Sequence, residues 1–247
     1  MPPRTLIIGC GALAREIKAL RRANDWQALD VRFLPAELHN RPERIAPAVR
    51  AAIQAARADY EQIFVAYADC GTGGLLDKVL LEEGVERIAG AHCYEFYASP
   101  AVFAALAEAA PGTFYLTDFL VRHFDRLVTR GLGIDRHPEL AAVYFANYTR
   151  IVYLAQAPDT ELEGRAAAIA RQMGLEFAVV RTGYGGLEAT LKEFVLKGPR
   201  RGASGAAHVG ASGAAPVGAT GAAPAGATGA APAGASGTAP GGSAWPA

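Results

Sequence analysis

Short apolar runs alternate with amphipathic stretches along most of the chain. The runs Thr5–Gly9, Val31–Leu34, Gln62–Ala68, Arg87–Ala91, Thr113–Leu116, Arg150–Leu154 and Glu176–Val180 have the length and bounded character of buried strands. The stretches between them carry helical spacing. In Pro42–Ala56, Ile45, Val49 and Ile53 recur every fourth residue, and in Asp118–Arg130 the apolar positions are Phe119, Val121, Phe124, Leu127 and Val128. Leu13–Arg22, Leu75–Glu83, Pro100–Ala109, Thr160–Met173 and Leu187–Phe194 read as further helices, and Asp135 is placed to cap another with Pro138 in its first turn. Strands that are apolar throughout and alternate with helices predict an α/β fold. The expected architecture is one mainly parallel sheet of about seven strands with helices on both faces. In open sheets of this kind ligands bind beyond the carboxyl ends of the strands.

Composition divides the chain in two. From Gly202 the sequence repeats every eight residues (GASGAAHV, GASGAAPV, GATGAAPA), and no side chain after Arg201 carries a formal charge. Such a segment has too little apolar surface to offset its ordering entropy. The expected organisation is an α/β domain over 1–198 and a disordered Gly/Ala/Pro-rich tail over 199–247. The chain holds 24 basic and 24 acidic residues, none of them after Arg201. That balance gives no electrostatic case for a nucleic-acid or anionic-membrane partner. No apolar run reaches the length of a membrane span, and the run near the N-terminus is too short for a signal peptide. Three widely spaced cysteines do not form a disulfide framework, so the expected compartment is the reducing cytoplasm.

Those cysteines carry the candidate chemistry. Cys10, Cys70 and Cys93 each follow a predicted strand, in LIIGCGAL, FVAYADCGTGG and IAGAHCYEFY. Parallel strands bring all three to the same edge of the sheet, where neighbouring strand ends lie about 4.8 Å apart. Three thiolates with an open fourth position suit catalytic zinc, and they suit an iron–sulfur cluster with one exposed iron equally well. His92 and Asp69 are candidate fourth ligands. Neighbouring residues in an extended segment point to opposite sides, which sets His92 against Cys93. Buried structural thiols are the alternative for each cysteine taken singly.

Other positions surround this set. Gly71, Gly73 and Gly74 open a turn into a helix whose amides could hold an anion, or they only permit the turn. Gly183, Gly185 and Gly186 in TGYGGLE repeat that pattern, with Tyr184 able to lean over the site. Glu16, on the first helix, reads as a solvated face or as an acid/base group, and Asp69 as a second such group. The stretch Tyr94–Tyr97 reads as a pocket wall or as core. Asp118 and Arg122 are spaced to pair with each other, and His137 lies in a loop or first helical turn.

The motifs GCGAL (Gly9–Leu13), DCGTGG (Asp69–Gly74), HCYEFY (His92–Tyr97), GLGIDRHPEL (Gly131–Leu140), RIVYLAQ (Arg150–Gln156) and TGYGGLE (Thr182–Glu188) together resemble the prokaryotic family known as domain of unknown function 1638. The resemblance covers Thr5 to Phe194. Its members look to occur near corrinoid-dependent methyl-transfer systems, which implies a corrinoid protein as a partner and leaves the chemistry open. Three functions remain in view. The first is a zinc or iron–sulfur enzyme acting on a small-molecule substrate, linked to methyl or sulfur transfer. The second is cofactor-independent cysteine acid/base catalysis of the racemase kind, with Cys10 and Cys70 as the pair. The third is a carrier or assembly factor for a metal or cofactor.

Overall fold

The computed structural model describes residues 4–197; the octapeptide segment therefore lies outside the described residues. The first half runs β1 (Thr5–Cys10), α1 (Ala14–Ala23), β2 (Leu29–Leu34), α2 (Ile45–Ala56), β3 (Gln62–Ala66), α3 (Leu75–Glu83) and β4 (Glu86–Arg87). Two helices, α4 (Cys93–Ala98) and α5 (Pro100–Ala109), lead into the second half. It runs β5 (Thr113–Thr117), α6 (Asp118–Arg122), α7 (Glu139–Phe145), β6 (Arg150–Ala155), α8 (Thr160–Met173), β7 (Glu176–Arg181) and α9 (Gly186–Lys197).

The alternating pattern gives an α/β fold in which every strand pair is parallel. The seven strands form two sheets, ordered β2-β1-β3-β4 and β5-β6-β7, where the sequence suggests a single one. The break has a local cause. The regular ladder of the apolar run Arg87–Ala91 ends at Arg87, with Ile88 N still donating to the Val65 carbonyl (3.1 Å), and the Arg87 guanidinium turns back to donate to the carbonyls of Ile88 (2.6 Å) and Gly90 (3.1 Å). Gly90 then adopts φ +113°, with Glu95 Oε2 2.8 Å from where a Cβ would sit. The chain leaves the sheet there.

Leu6, Ile7 and Ile8 of β1 are all fully buried. Successive strand residues point to opposite faces, so both faces of this sheet are covered. The order β2-β1-β3 means that the chain moves outward from β1 to β2, then crosses to the far side of β1. The crevice between the carboxyl ends of β1 and β3 is therefore the switch point at which open α/β sheets bind ligands.

The halves lock together at that end. The last helix returns to the first core, where Leu187 and Leu191 are fully buried and Phe194 packs on Phe64 (centroids 4.5 Å apart). Asn40 Nδ2 donates to the Leu127 carbonyl at 3.2 Å, and Arg126 pairs with Glu37 at 2.6 Å. The helix expected over Asp118–Arg130 is interrupted: α6 ends at Arg122, and a π-helical turn follows over Asp125–Thr129. Asp135 does not cap a helix; α7 starts at Glu139, just after Pro138. No helix among the described residues is long and apolar enough to cross a membrane.

A candidate thiol–imidazole site

All three cysteines stand at this junction, and all are free. Cys10 ends β1 and caps the short 3₁₀ turn that follows, its Sγ accepting from Ala12 N at 3.3 Å. Burial pushes its thiol up to about 12, which outweighs the opposing hydrogen bonds. Cys93 opens α4. Burial first, and then the neighbouring Cys70 and Cys10, push its thiol well above the usual range. Both are neutral thiols at neutral pH.

Cys70 is held differently. It follows β3 in a strand–turn–helix elbow with φ +53°, in the left-handed region that non-glycine residues rarely occupy. Its amide donates to the Ala91 carbonyl at 2.8 Å. The Asp69 carboxylate ties the turn together, accepting from Thr72 Oγ1 (2.5 Å), Gly73 N (3.1 Å) and Gly74 N (2.9 Å). Burial raises the Asp69 carboxyl, but these donors and Arg87 together hold it below its ordinary value. The anion that this glycine-rich turn holds is therefore the chain's own. Gly71, Gly73 and Gly74 all have positive φ, which the turn requires.

Two partners of the cysteines come from positions that the motif reading passed over. His39 follows β2 on a 3₁₀ turn (Ala36–Asn40). Its Nδ1 lies 3.1 Å from the Ala36 carbonyl, which assigns the proton to Nδ1 and leaves Nε2 as the base. The Cys10 sulfur is 3.8 Å from Nδ1 and 4.0 Å from Nε2. Burial lowers the basicity of His39, yet a hydrogen bond with Cys70 and the Cys70 charge more than reverse this, so the imidazole titrates above its ordinary value. The ring stacks on Tyr67 (interplanar angle 12°). The buried Tyr67 hydroxyl has no hydrogen-bond partner of good geometry and is raised by burial and by the charges of Cys10 and Cys70.

Beside this group lies a cavity of about 130 Å³, lined on one side by His39, Asn40, Cys70, His92 and Cys93. His92 and Cys93 thus share it. Cys93 starts a helix, so the strand rule that sets neighbours on opposite sides does not apply. Burial keeps the His92 imidazole below its ordinary value and hence neutral. Tyr94 lines the cavity as well, whereas Phe96 and Tyr97 are buried in the first core.

The remaining candidates sit elsewhere. Tyr184 packs against the first core and does not line the cavity. Gly183 and Gly185 have positive φ, and a Cβ on Gly185 would lie 2.2 Å from the Phe96 carbonyl oxygen. His137 pairs with Glu139 at the surface. Asp118 is buried and accepts from Tyr153 Oη (2.7 Å) and Gln156 N (3.0 Å), while Arg122 pairs with Asp159. Glu16 is also buried rather than on a solvated face, and its Oε2 has no partner. Burial, with Asp118 adding to it, raises its carboxyl above 4.5. The native state therefore prefers neutral Glu16, and the penalty is absent at acid pH and full once pH exceeds the raised value. Glu16→Gln is accordingly expected to raise Tm by roughly 2–4 °C at pH 8 and to leave it unchanged at pH 4. Thermal melts at the two pH values check this.

The fold and site define an α/β protein with a buried thiol–imidazole cluster at the switch point of a parallel sheet. The chain belongs to the family described as protein of unknown function (DUF1638), which matches residues 33–191. That span includes His39, Tyr67, Cys70 and Cys93 but not Cys10 or Glu16. No curated protein matches the chain.

Proposed function

We propose that the protein is an enzyme acting on a small molecule by cysteine acid/base or nucleophilic chemistry, with Cys70 as the reacting thiol and His39 as its base. The observation that carries this is the pairing itself. Cys70 is fixed on a strained elbow, and His39 is oriented by a third group, the Ala36 carbonyl. Both side chains line the cavity. A nucleophile, a base and a group that orients the base form the general arrangement for an activated thiol. The Cys70 proton passes to His39 Nε2, leaving a thiolate and an imidazolium. The sulfur electron pair then takes a proton from the substrate or attacks an electrophilic carbon, and His39 returns its proton to the product. Cys93, neutral and lining the same cavity, is the second thiol able to donate. Unpaired cysteines fit a cytoplasmic setting.

A thiolate metal centre is the second reading. It is favoured by three thiols and an imidazole at one junction, where burial and then Cys70 and Cys10 raise the Cys93 thiol. Thiolate and imidazole are the donors that zinc or an iron–sulfur cluster takes. Among the described residues, however, no group of three or more His, Cys, Asp or Glu side chains is arranged to hold a metal ion. A carrier role, with a corrinoid protein as partner, would rest on the same cluster without turnover.

Peptide-resolved alkylation tests the first reading. With iodoacetamide at pH 7, Cys70 is expected to react at least about tenfold faster than Cys10 or Cys93. Equal rates would overturn it. Stoichiometric zinc, or iron with acid-labile sulfide, in anaerobically purified protein that is lost on Cys70→Ala would move the assignment to the metal centre.

A further inference from the structure

The cavity beside Cys70 also constrains what it accepts, provided that Cys70 is the reacting group. Its far wall is built by Phe114, Phe119, Leu120, Val128 and Phe145, which come from β5, α6, the π-helical turn and α7. Among the described residues no Lys, Arg, Asp or Glu lines it. The nearby charges are engaged elsewhere: Arg126 with Glu37, Arg87 with Asp77, and Asp69 within its own turn. The histidines are engaged as well: burial holds His92 below its ordinary value, and His39 Nδ1 is 3.1 Å from the Ala36 carbonyl.

An ion entering such a space would lose its hydration and gain no counter-charge. That loss disfavours binding of an ion by at least about tenfold. Size adds a second limit. An apolar cavity of about 150 Å³ holds a benzene-sized molecule, and this one measures about 130 Å³. From the cavity's lining and volume we infer that the site takes an uncharged molecule with an apolar body of about one ring. It excludes amino acids, carboxylates and phosphate esters. The amino-acid substrates of racemase-like enzymes are thereby ruled out for this centre, whereas neutral thiols, carbonyl compounds and ring-bearing alcohols remain.

Four matched electrophiles test this on the full chain: chloroacetamide, N-benzyl chloroacetamide, and the para-carboxy and para-aminomethyl derivatives of the latter. Rates of Cys70 modification are read by peptide mass spectrometry and divided by each reagent's rate with glutathione. The neutral benzyl reagent is expected to exceed chloroacetamide by about tenfold or more, and each charged derivative is expected to fall at least about tenfold below the benzyl reagent. A charged derivative that matches the neutral one would overturn the inference, as would the absence of any benzyl preference. If Cys70 resists chloroacetamide itself, the thiol assignment fails separately. Saturation-transfer NMR with benzyl alcohol, benzoate and benzylamine then decides the charge question. Binding of the alcohol alone upholds the inference, and binding of either ion, or of none of the three, overturns it.

Discussion

His39→Ala is expected to slow alkylation of Cys70 at pH 7 by about 10- to 100-fold while leaving the fold intact. A positioned general base contributes roughly 10²–10⁴ to a proton transfer. A thiol already supplies a few per cent of thiolate unaided, so the lower part of that range applies. The effect is specific to Cys70. Cys10 also lies near the ring, 3.8 Å from Nδ1, but that nitrogen donates to the Ala36 carbonyl, and burial holds the Cys10 thiol at about 12. Rates at Cys10 and Cys93 are therefore expected to stay low in both proteins. His39→Gln keeps much of the volume and the packing on Tyr67, and it should be as slow as alanine. A glutamine variant that reacted at the native rate would show that His39 only fills space.

Gly185→Ala is expected to destabilise the protein by about 3–5 kcal/mol, or roughly 10 °C in Tm. Two costs add. Gly185 has φ +50°, and its Cβ would meet two backbone oxygens, those of Phe96 at 2.2 Å and Tyr97 at 2.3 Å. Backbone cannot swing aside as a long side chain can, so α9 would have to lift from α4. Gly183→Ala provides the control. Its φ is +58°, but nothing lies within 4 Å of the added carbon, so only the conformational strain of about 1–3 kcal/mol remains. Circular-dichroism melts of the two variants should differ accordingly. Equal losses would mean that α9 docks on α4 more loosely than these distances imply.

Local pattern carried most of the element reading because it reports burial at short range. Gln62–Ala68 is apolar throughout, and β3 lies there with both faces covered; the same holds for β1 and β6. β1 and β3 pair directly, which sets Cys10 and Cys70 beyond neighbouring strand ends, whereas Cys93 opens α4 and does not follow a strand directly. What the pattern missed depends on distant contacts. The division into two sheets turns on Gly90 and on the Arg87 side chain folding back, which no periodicity records. Glu16 reads as solvated on its own helix, and in the fold it is buried, with Asp118 and Arg122 of the second half acting on its charge. His39 lies beyond the end of β2 on a 3₁₀ turn after Pro35, so no strand end points to it directly. The segment LPAELHN did offer one clue, a histidine on the same edge as the cysteines, and the rule that gathered the thiols could have been extended to it. Tyr67 reads as the end of an apolar strand, and it is buried just beyond β3, but its unpaired hydroxyl stands out only beside the thiols.

The central claim is that Cys70 and His39 share one proton between a thiol and an imidazole. Nitrogen-15 NMR of the histidine rings over a pH series, in the native protein and in Cys70→Ser, measures this directly. The largest influence on His39 is burial, which lowers its basicity, and the pairing with Cys70, helped by the Ala36 carbonyl, raises it above its ordinary value. The native His39 ring is therefore expected to keep the two similar nitrogen shifts of an imidazolium to a higher pH than the ring of the serine variant, which should pass to the well-separated shifts of a neutral ring first. A His39 titration unchanged by the substitution would contradict the account.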